Sequence, residues 1–265
     1  MELNNTRVLL TGAAGGIGRE LATRLADQGA RLALLDLHAA PLEELAADLP
    51  GDPLVIAADI TATAGRREIA AEMIDHWQGH VDLLINNAGV MDFTAYEMMS
   101  PEAIRRTLNV NVEAPMQLAR MFLPDMLKRD HGTIVFTGSI LGAMGMPYFS
   151  AYSASKFAIR GFAEALRREL DDTDVQVTYV GPRSVRTPLN NSTVQRMAEA
   201  TGMKVDEPAW VAEQIIDAIR HNRAEVHLGF PERLFARLNG ILPRLVDRGL
   251  AGQGRQMRTF ACEKG

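Results

Sequence analysis

The 265 residues are enough for one large α/β domain with a full core, and no shift in composition divides them. A charged fraction of 23% against 47% hydrophobic residues, with a net charge of −5, is ordinary globular composition and excludes a nucleic-acid surface. No uncharged apolar run reaches the roughly 18 residues of a membrane span, no basic-then-apolar leader opens the chain, and the single Cys262 cannot close an intramolecular disulfide, so a cytoplasmic setting with small-molecule partners is expected.

From the N-terminus, short apolar runs at 7–10, 31–37, 54–58, 81–85, 133–137 and 175–180 read as strands. They are apolar almost throughout, which suits a parallel sheet covered on both faces. Between them, 18–28, 41–48, 65–77, 101–128 and 152–170 carry the spacing of amphipathic helices. Strands alternating with helices predict right-handed crossovers and one doubly wound parallel sheet over 1–228. The remainder, 229–265, predicts a C-terminal amphipathic helical extension, with Leu234, Leu238, Ile241, Leu245 and Val246 on one face and Pro243 as a kink.

The segment TGAAGGIG at 11–18 joins the first strand to the first helix. Its glycines permit a tight turn and close backbone approach, so a pyrophosphate can sit at the helix N-terminus. Asp36 ends the second strand, where an acid can accept hydrogen bonds from ribose hydroxyls and would repel a 2′-phosphate. With no Lys or Arg inside the glycine turn and only His38 just beyond Asp36, NAD is favoured over NADP. A solvated strand end is the plain alternative for Asp36.

Tyr152 and Lys156 are four apart and share a face if their segment is helical. An unperturbed phenol titrates near 10, so using it as a base at neutral pH needs roughly 4 kcal/mol of differential stabilisation, and a neighbouring cation acts in that direction. Taken alone, Tyr-x-x-x-Lys is an ordinary surface pair. Ser139, thirteen residues upstream, supplies a hydroxyl for the same proton, although a Ser before Gly142 can also be a plain turn former. No nucleophile elbow surrounds Ser139, and the six His residues show no ligand spacing, so neither a hydrolase triad nor a metal is expected.

With TGAAGGIG, Asp36, Asn86-Asn87-Ala88-Gly89, Asn111, Ser139 and Tyr152-Ser-Ala-Ser-Lys156 in this order, the chain resembles the short-chain dehydrogenase/reductase family from about residue 6 to 187. The resemblance implies a single Rossmann domain with a seventh strand at 225–228 and an NAD(P)-dependent oxidoreductase acting on CH–OH groups, in many members a homotetramer. It also implies that Gly12, Gly16, Ile17 and Gly18 hold the diphosphate, Asp36 the ribose, Asp59 and Ile60 the adenine, and Asn87, Ala88 and Gly89 the middle of the cofactor. Pro182, Val185 and Thr187 line the nicotinamide. Tyr152 is implied as acid/base, Lys156 as the cation that tunes the phenol and binds the nicotinamide ribose, Ser139 as the hydroxyl polarising the substrate oxygen, and Asn111 as the site of a water linking Lys156 to solvent.

One departure stands out, because the family usually reads Pro-Gly where this chain reads Pro182-Arg183. Arg183 is expected either to pair with an acid or face solvent, or to contact a substrate carboxylate or phosphate, with Gly181 lending flexibility and 183–205 forming a mobile lid. A dinucleotide-sensing or scaffolding protein of the same fold is the alternative function. Met91, Phe93, Leu141, Met144, Met146, Tyr148 and Phe149 cluster after strand ends, where they either line an apolar pocket or pack beneath loops. Residues 229–265 hold seven Lys/Arg against three acids, a local +4 against −9 for the rest. That extension is expected to cover the pocket or a neighbouring subunit, or to lie on an anionic membrane. Each of these placements leans toward a hydrophobic secondary alcohol or ketone, such as a lipid, steroid or acyl derivative.

Overall fold

A computed structural model of the chain describes residues 1–262. Seven strands form one all-parallel sheet: β1 (Arg7–Thr11), β2 (Arg31–Asp36), β3 (Leu54–Ala57), β4 (Leu83–Asn86), β5 (Gly132–Thr137), β6 (Val175–Gly181) and β7 (Glu225–His227), in the order β3-β2-β1-β4-β5-β6-β7. The order reverses between β1 and β4, which opens a crevice at the carboxyl ends of those strands. Successive residues of a strand face opposite sides. Val8 and Leu10 therefore pack with α1 (Gly16–Asp27), α2 (Ala39–Ala47) and α8 (Pro208–Arg220), while Leu9 packs with α3 (Thr63–Trp77), α5 (Ala114–Arg129) and α6 (Ser150–Glu169).

Two elements differ from the sequence expectation, and a third, the expected lid, proves to contain a helix. The stretch 101–128 is not one continuous helix: α4 (Pro101–Leu108), capped by Ser100, meets α5 through a π turn at Asn109–Glu113. Within that turn the Ala114 N–H donates to the Asn109 carbonyl five residues back, and Pro115 has no N–H for the carbonyl of Asn111. The segment 183–205 is partly helical, with α7 (Ser192–Ala200) capped by the Asn191 side chain, and its ends are stitched by hydrogen bonds between Ser184, Arg186 and Asp206. Pro243 does not kink one helix but separates two, α9 (Glu232–Ile241) and α10 (Pro243–Ala261). It occupies the first turn of α10, where its missing N–H costs nothing.

Helices α9 and α10 do not stand apart from the sheet domain. Ala236, Val246 and Met257 are buried in a third apolar cluster with Leu141, Met144, Met146, Phe149, Val194 and Met197. Glu263 and Lys264, counted in the basic tail, lie outside the described residues. No described helix is long and apolar enough to cross a membrane.

Candidate active site

The glycine turn is a backbone cradle. Gly12 adopts φ +65°, and a Cβ there would sit 2.8 Å from the Ala88 Cα; on Gly16 it would meet the Thr187 methyl at 2.6 Å, and on Gly18 the Gly12 carbonyl at 2.0 Å. Side chains at these positions would fill the space between turn, helix and the 182–187 loop. Gly15, the N-cap of α1, offers no side-chain cap and the first turn holds no acid, so the leading N–H groups of the helix suit a diphosphate. These features fit a dinucleotide.

The turn is tied down by a residue the sequence reading passed over. Thr11 Oγ1 accepts the N–H groups of both Asn87 and Ala88, at 3.0 Å each. The Asn87 amide donates to the carbonyls of Thr11 and Gly12, so this side chain braces the cradle. Asp36 receives N–H bonds from Ala14 (3.0 Å) and Leu37 (2.8 Å), which aim its carboxylate at the turn. Arg19, in the first turn of α1, donates to the carbonyls of Ala14 and Pro41. Asp59 accepts from both the N–H and the hydroxyl of Thr61, next to the half-buried Ile60.

Ser139, Tyr152 and Lys156 converge, all buried, on one cavity of about 610 Å³. Ser139 follows β5, where its Oγ accepts the N–H of Leu141 at 3.1 Å. Tyr152 and Lys156 lie one turn apart in α6, with the ammonium 5.5 Å from the phenol ring centroid and donating to the Thr137 carbonyl at 3.0 Å. An ammonium has three donors, so two remain. Burial pushes the phenol up to about 12, with hydrogen bonding to Ser139 pulling the other way, and pushes the ammonium down to about 8. The chain by itself therefore does not show the expected lowering of the phenol by Lys156.

Asn111, in the π turn, spends its amide on the protein. Its oxygen accepts the Val90 N–H at 2.9 Å, and its nitrogen donates to the Val90 carbonyl at 2.8 Å and to Ser155 Oγ at 3.0 Å. Ser155 in turn donates to the Tyr152 carbonyl at 2.7 Å. Asn111 thereby joins the 87–90 loop to the catalytic helix.

The site contains a further residue without a sequence signal. Tyr179, fully buried in β6, places its hydroxyl against the main chain of Ser139, accepting its N–H at 3.1 Å and donating to its carbonyl at 2.9 Å. Gly138 and Gly142 make room: a Cβ on either would lie within 2.4 Å of the Tyr179 ring or hydroxyl.

Ile17, Asn87, Gly89, Pro182, Val185 and Thr187 line the same cavity as the catalytic trio. Gly12, Gly16, Gly18, Asp36, Asp59, Ile60 and Ala88 stand outside that lining, toward the glycine turn and the ends of β2 and β3. Beyond the trio the walls are mainly apolar: Met91, Leu141, Met144, Met146 and Phe149 line them, whereas Phe93 and Tyr148, outside that lining, pack against each other at 6.2 Å. α7 adds Val194 and Met197, and the C-terminal helices add Phe235, Leu238, Val246 and Leu250.

Arg183 does not present its charge as a free contact for substrate. Its guanidinium pairs with Asp206 through two bonds (2.9 and 2.6 Å) and with Glu232 at 2.9 Å. The arm passes over Gly229, where φ is +91° and a Cβ would lie 2.7 Å from Arg183 Cδ. Gly181 also has a different role from the one expected. It lies within β6, where a Cβ would meet His227 at 2.8 Å and the Ser139 carbonyl at 3.0 Å, so it serves close packing.

A parallel doubly wound sheet with a dinucleotide cradle beside a buried Ser, Tyr and Lys defines a class, the nicotinamide-dependent oxidoreductases of Rossmann type. The profile of the short chain dehydrogenase family matches residues 6–198, and the chain belongs to that family. It is 33% identical over 273 residues to dehydrogenase/reductase SDR family member 7B of Bos taurus, covering 97% of this chain and 83% of that one. Among solved structures, a short chain dehydrogenase/reductase from Burkholderia phymatum in complex with NAD shares the fold, with a TM-score of 0.84 and 24% identity over 93% of this chain and 96% of that one. A putative NAD(P) dependent gluconate 5-dehydrogenase from Beutenbergia cavernae, with bound NADP, is 30% identical with a TM-score of 0.76, covering 85% of this chain and 95% of that one. Membership makes the chain an NAD(P)-dependent oxidoreductase of the CH–OH-acting kind. Among the described residues no group of three or more His, Cys, Asp or Glu could hold a metal.

Proposed function

We propose that the chain interconverts a hydrophobic secondary alcohol and its ketone with NAD as the favoured cofactor. The observation carrying this reading is that Ser139, Tyr152 and Lys156 meet on one cavity that adjoins the glycine cradle and is walled mainly by Met, Leu, Val and Phe, with Asn190, Lys204, Glu232 and Gln253 among its polar lining. When bound, the cofactor supplies or accepts the hydride and, oxidised, places a positive charge near the phenol. Tyr152, protonated at neutral pH by virtue of its burial, gives its proton to the carbonyl oxygen in reduction and takes it back in oxidation. Ser139 donates to the same oxygen and steadies its partial negative charge. Lys156, anchored at Thr137, would have two donors left for the ribose of a bound nicotinamide cofactor. A water on the Asn111 carbonyl, to which Pro115 has no N–H to give, fits the proton path better than one on the committed amide. Asp36, oriented by Ala14 and Leu37, accepts from ribose hydroxyls and repels a 2′-phosphate.

Against the sensing or scaffolding alternative stands the pairing of Arg183 with Asp206 and Glu232, which holds its charge on the protein and leaves Ser139, Tyr152 and Lys156 together. Assembly into a tetramer remains part of the proposal and is read by sedimentation velocity, where a monomer at micromolar concentration contradicts it. The substrate class is tested with a series of 2-alkanols of growing length. Each methylene buried is worth about 0.8 kcal/mol, so kcat/KM should rise about fourfold per carbon until the cavity is filled. A flat series contradicts an apolar pocket.

A further inference from the structure

Helices α9 and α10 meet at Leu242, and around that joint the chain exposes apolar side chains that no described element covers. Ile241 is 76% exposed, Leu245 53% and Leu242 51%, and Leu234 and Phe230, at the other end of α9, are exposed as well. Phe235 and Leu245 belong to two surfaces at once, since both line the catalytic cavity and both are more than 40% exposed. The cavity therefore reaches the exterior at this apolar patch. Arg233, Arg237, Arg244 and Arg248 are exposed on the same helices, and none has an ion-pair partner among the described residues. Of the two nearby acids, Glu232 is engaged by Arg183, which leaves Asp247 as the local opposing charge.

We propose that the α9–α10 joint docks on an anionic lipid surface, with Ile241, Leu242 and Leu245 entering the headgroup boundary and the four arginines contacting lipid phosphates. Exposed apolar side chains carried with exposed arginines on the same two helices match such a surface in both chemistry and charge. A second copy of the chain matches it poorly. A twofold contact would set this patch against itself and oppose arginine with arginine. Docked in this way, the cavity mouth between Phe235 and Leu245 faces the membrane, and an apolar substrate can enter without crossing water. That entry route rests on the apolar-substrate reading above; docking does not, and it can be measured with no turnover.

The test is flotation of the full chain with vesicles of phosphatidylcholine alone or with about a third phosphatidylserine, at low and high salt. The expected result is salt-sensitive flotation with the anionic vesicles and little with the neutral ones. Arg244→Ser/Arg248→Ser should lower the partition coefficient by roughly fivefold per arginine, and Ile241→Asp/Leu242→Asp should abolish flotation. Ile241→Ser serves as a milder replacement. NADH fluorescence titration should be unchanged in each variant, showing that the fold and cradle are intact. No flotation of the parent, flotation indifferent to these substitutions, or an assembly in vesicle-free buffer that Ile241→Asp splits would each overturn the proposal; the last would make the patch an interface between copies.

Discussion

Replacing Arg183 by the glycine usual in the family is expected to weaken this chain. The guanidinium holds Asp206 by two bonds and Glu232 by one, and the three side chains are only 14%, 10% and 24% exposed. Removing one partner of a buried ion pair costs about 3–5 kcal/mol, because the remaining charges stay desolvated and, here, face each other. Allowing for the partial exposure of Glu232 brings the figure to about 2–3 kcal/mol. For a domain of this size that is roughly 5–10 °C in Tm. Thermal unfolding of Arg183→Gly, and of Arg183→Gly with Asp206→Asn and Glu232→Gln, reads the effect. The neutralised triple variant should recover about half the loss, since no unpaired carboxylate is left buried. The same cluster fastens the 182–187 loop to α9, so KM for the longest 2-alkanol should rise more in Arg183→Gly than the Kd for NADH. A Tm change under about 1 °C, or a triple variant no more stable than the single one, would refute the reasoning.

Three further outcomes are expected. Asp36→Ala should weaken NADH binding by about tenfold or more, through lost hydrogen bonds to a charged acceptor, while NADPH binding holds or tightens; a parent that prefers NADPH contradicts the role given to Asp36. Tyr179→Phe keeps the ring between Gly138 and Gly142 but strands the N–H and carbonyl of Ser139, so kcat should fall about 10–100-fold with KM for NADH within about twofold. The same substitution in a Ser139→Ala background should cost little more, and equal losses in both backgrounds would show that Tyr179 does not act through Ser139. Asp82, in spite of its burial, is held down to about 2 by Arg7 and Arg129, and Glu225 is held down to about 2 by His227 and Arg160. The folded chain thus binds fewer protons at these groups than the unfolded one. Their contribution is complete above about pH 4.5 and lost as the pH falls toward 2, and in circular dichroism against pH the acid midpoint should move upward in Arg7→Ala.

The sheet was legible because its strands are buried on both faces and read as unbroken apolar runs, as in Leu32, Ala33, Leu34 and Leu35. The cradle and the catalytic trio were legible because their chemistry needs fixed residue types at nearly fixed spacing. What stayed hidden depends on contacts between distant parts of the chain. Nothing local marks Tyr179 as the neighbour of Ser139, forty positions away, except the glycines at 138 and 142 that leave it room. Arg183 could be flagged by its departure from the family pattern, yet its partners lie 23 and 49 residues further on. Helix α8 was passed over although Val211, Ile215, Ile216 and Ile219 carry its spacing, and Pro115 carried a readable hint of the break in 101–128. At Pro243 the right residue was noticed and its effect misjudged, since a proline that ends one helix is tolerated at the start of the next.

The central claim is that Tyr152 is the proton donor and acceptor of an NAD(P)-dependent alcohol/ketone reaction. Its most direct test is the turnover of a 2-alkanol and 2-alkanone panel by the parent and by Tyr152→Phe, with NADH binding followed by fluorescence in both. The account predicts that turnover in the variant drops by a factor of at least about 100, while NADH binds within about threefold of the parent. Turnover in Tyr152→Phe equal to that of the parent would contradict it.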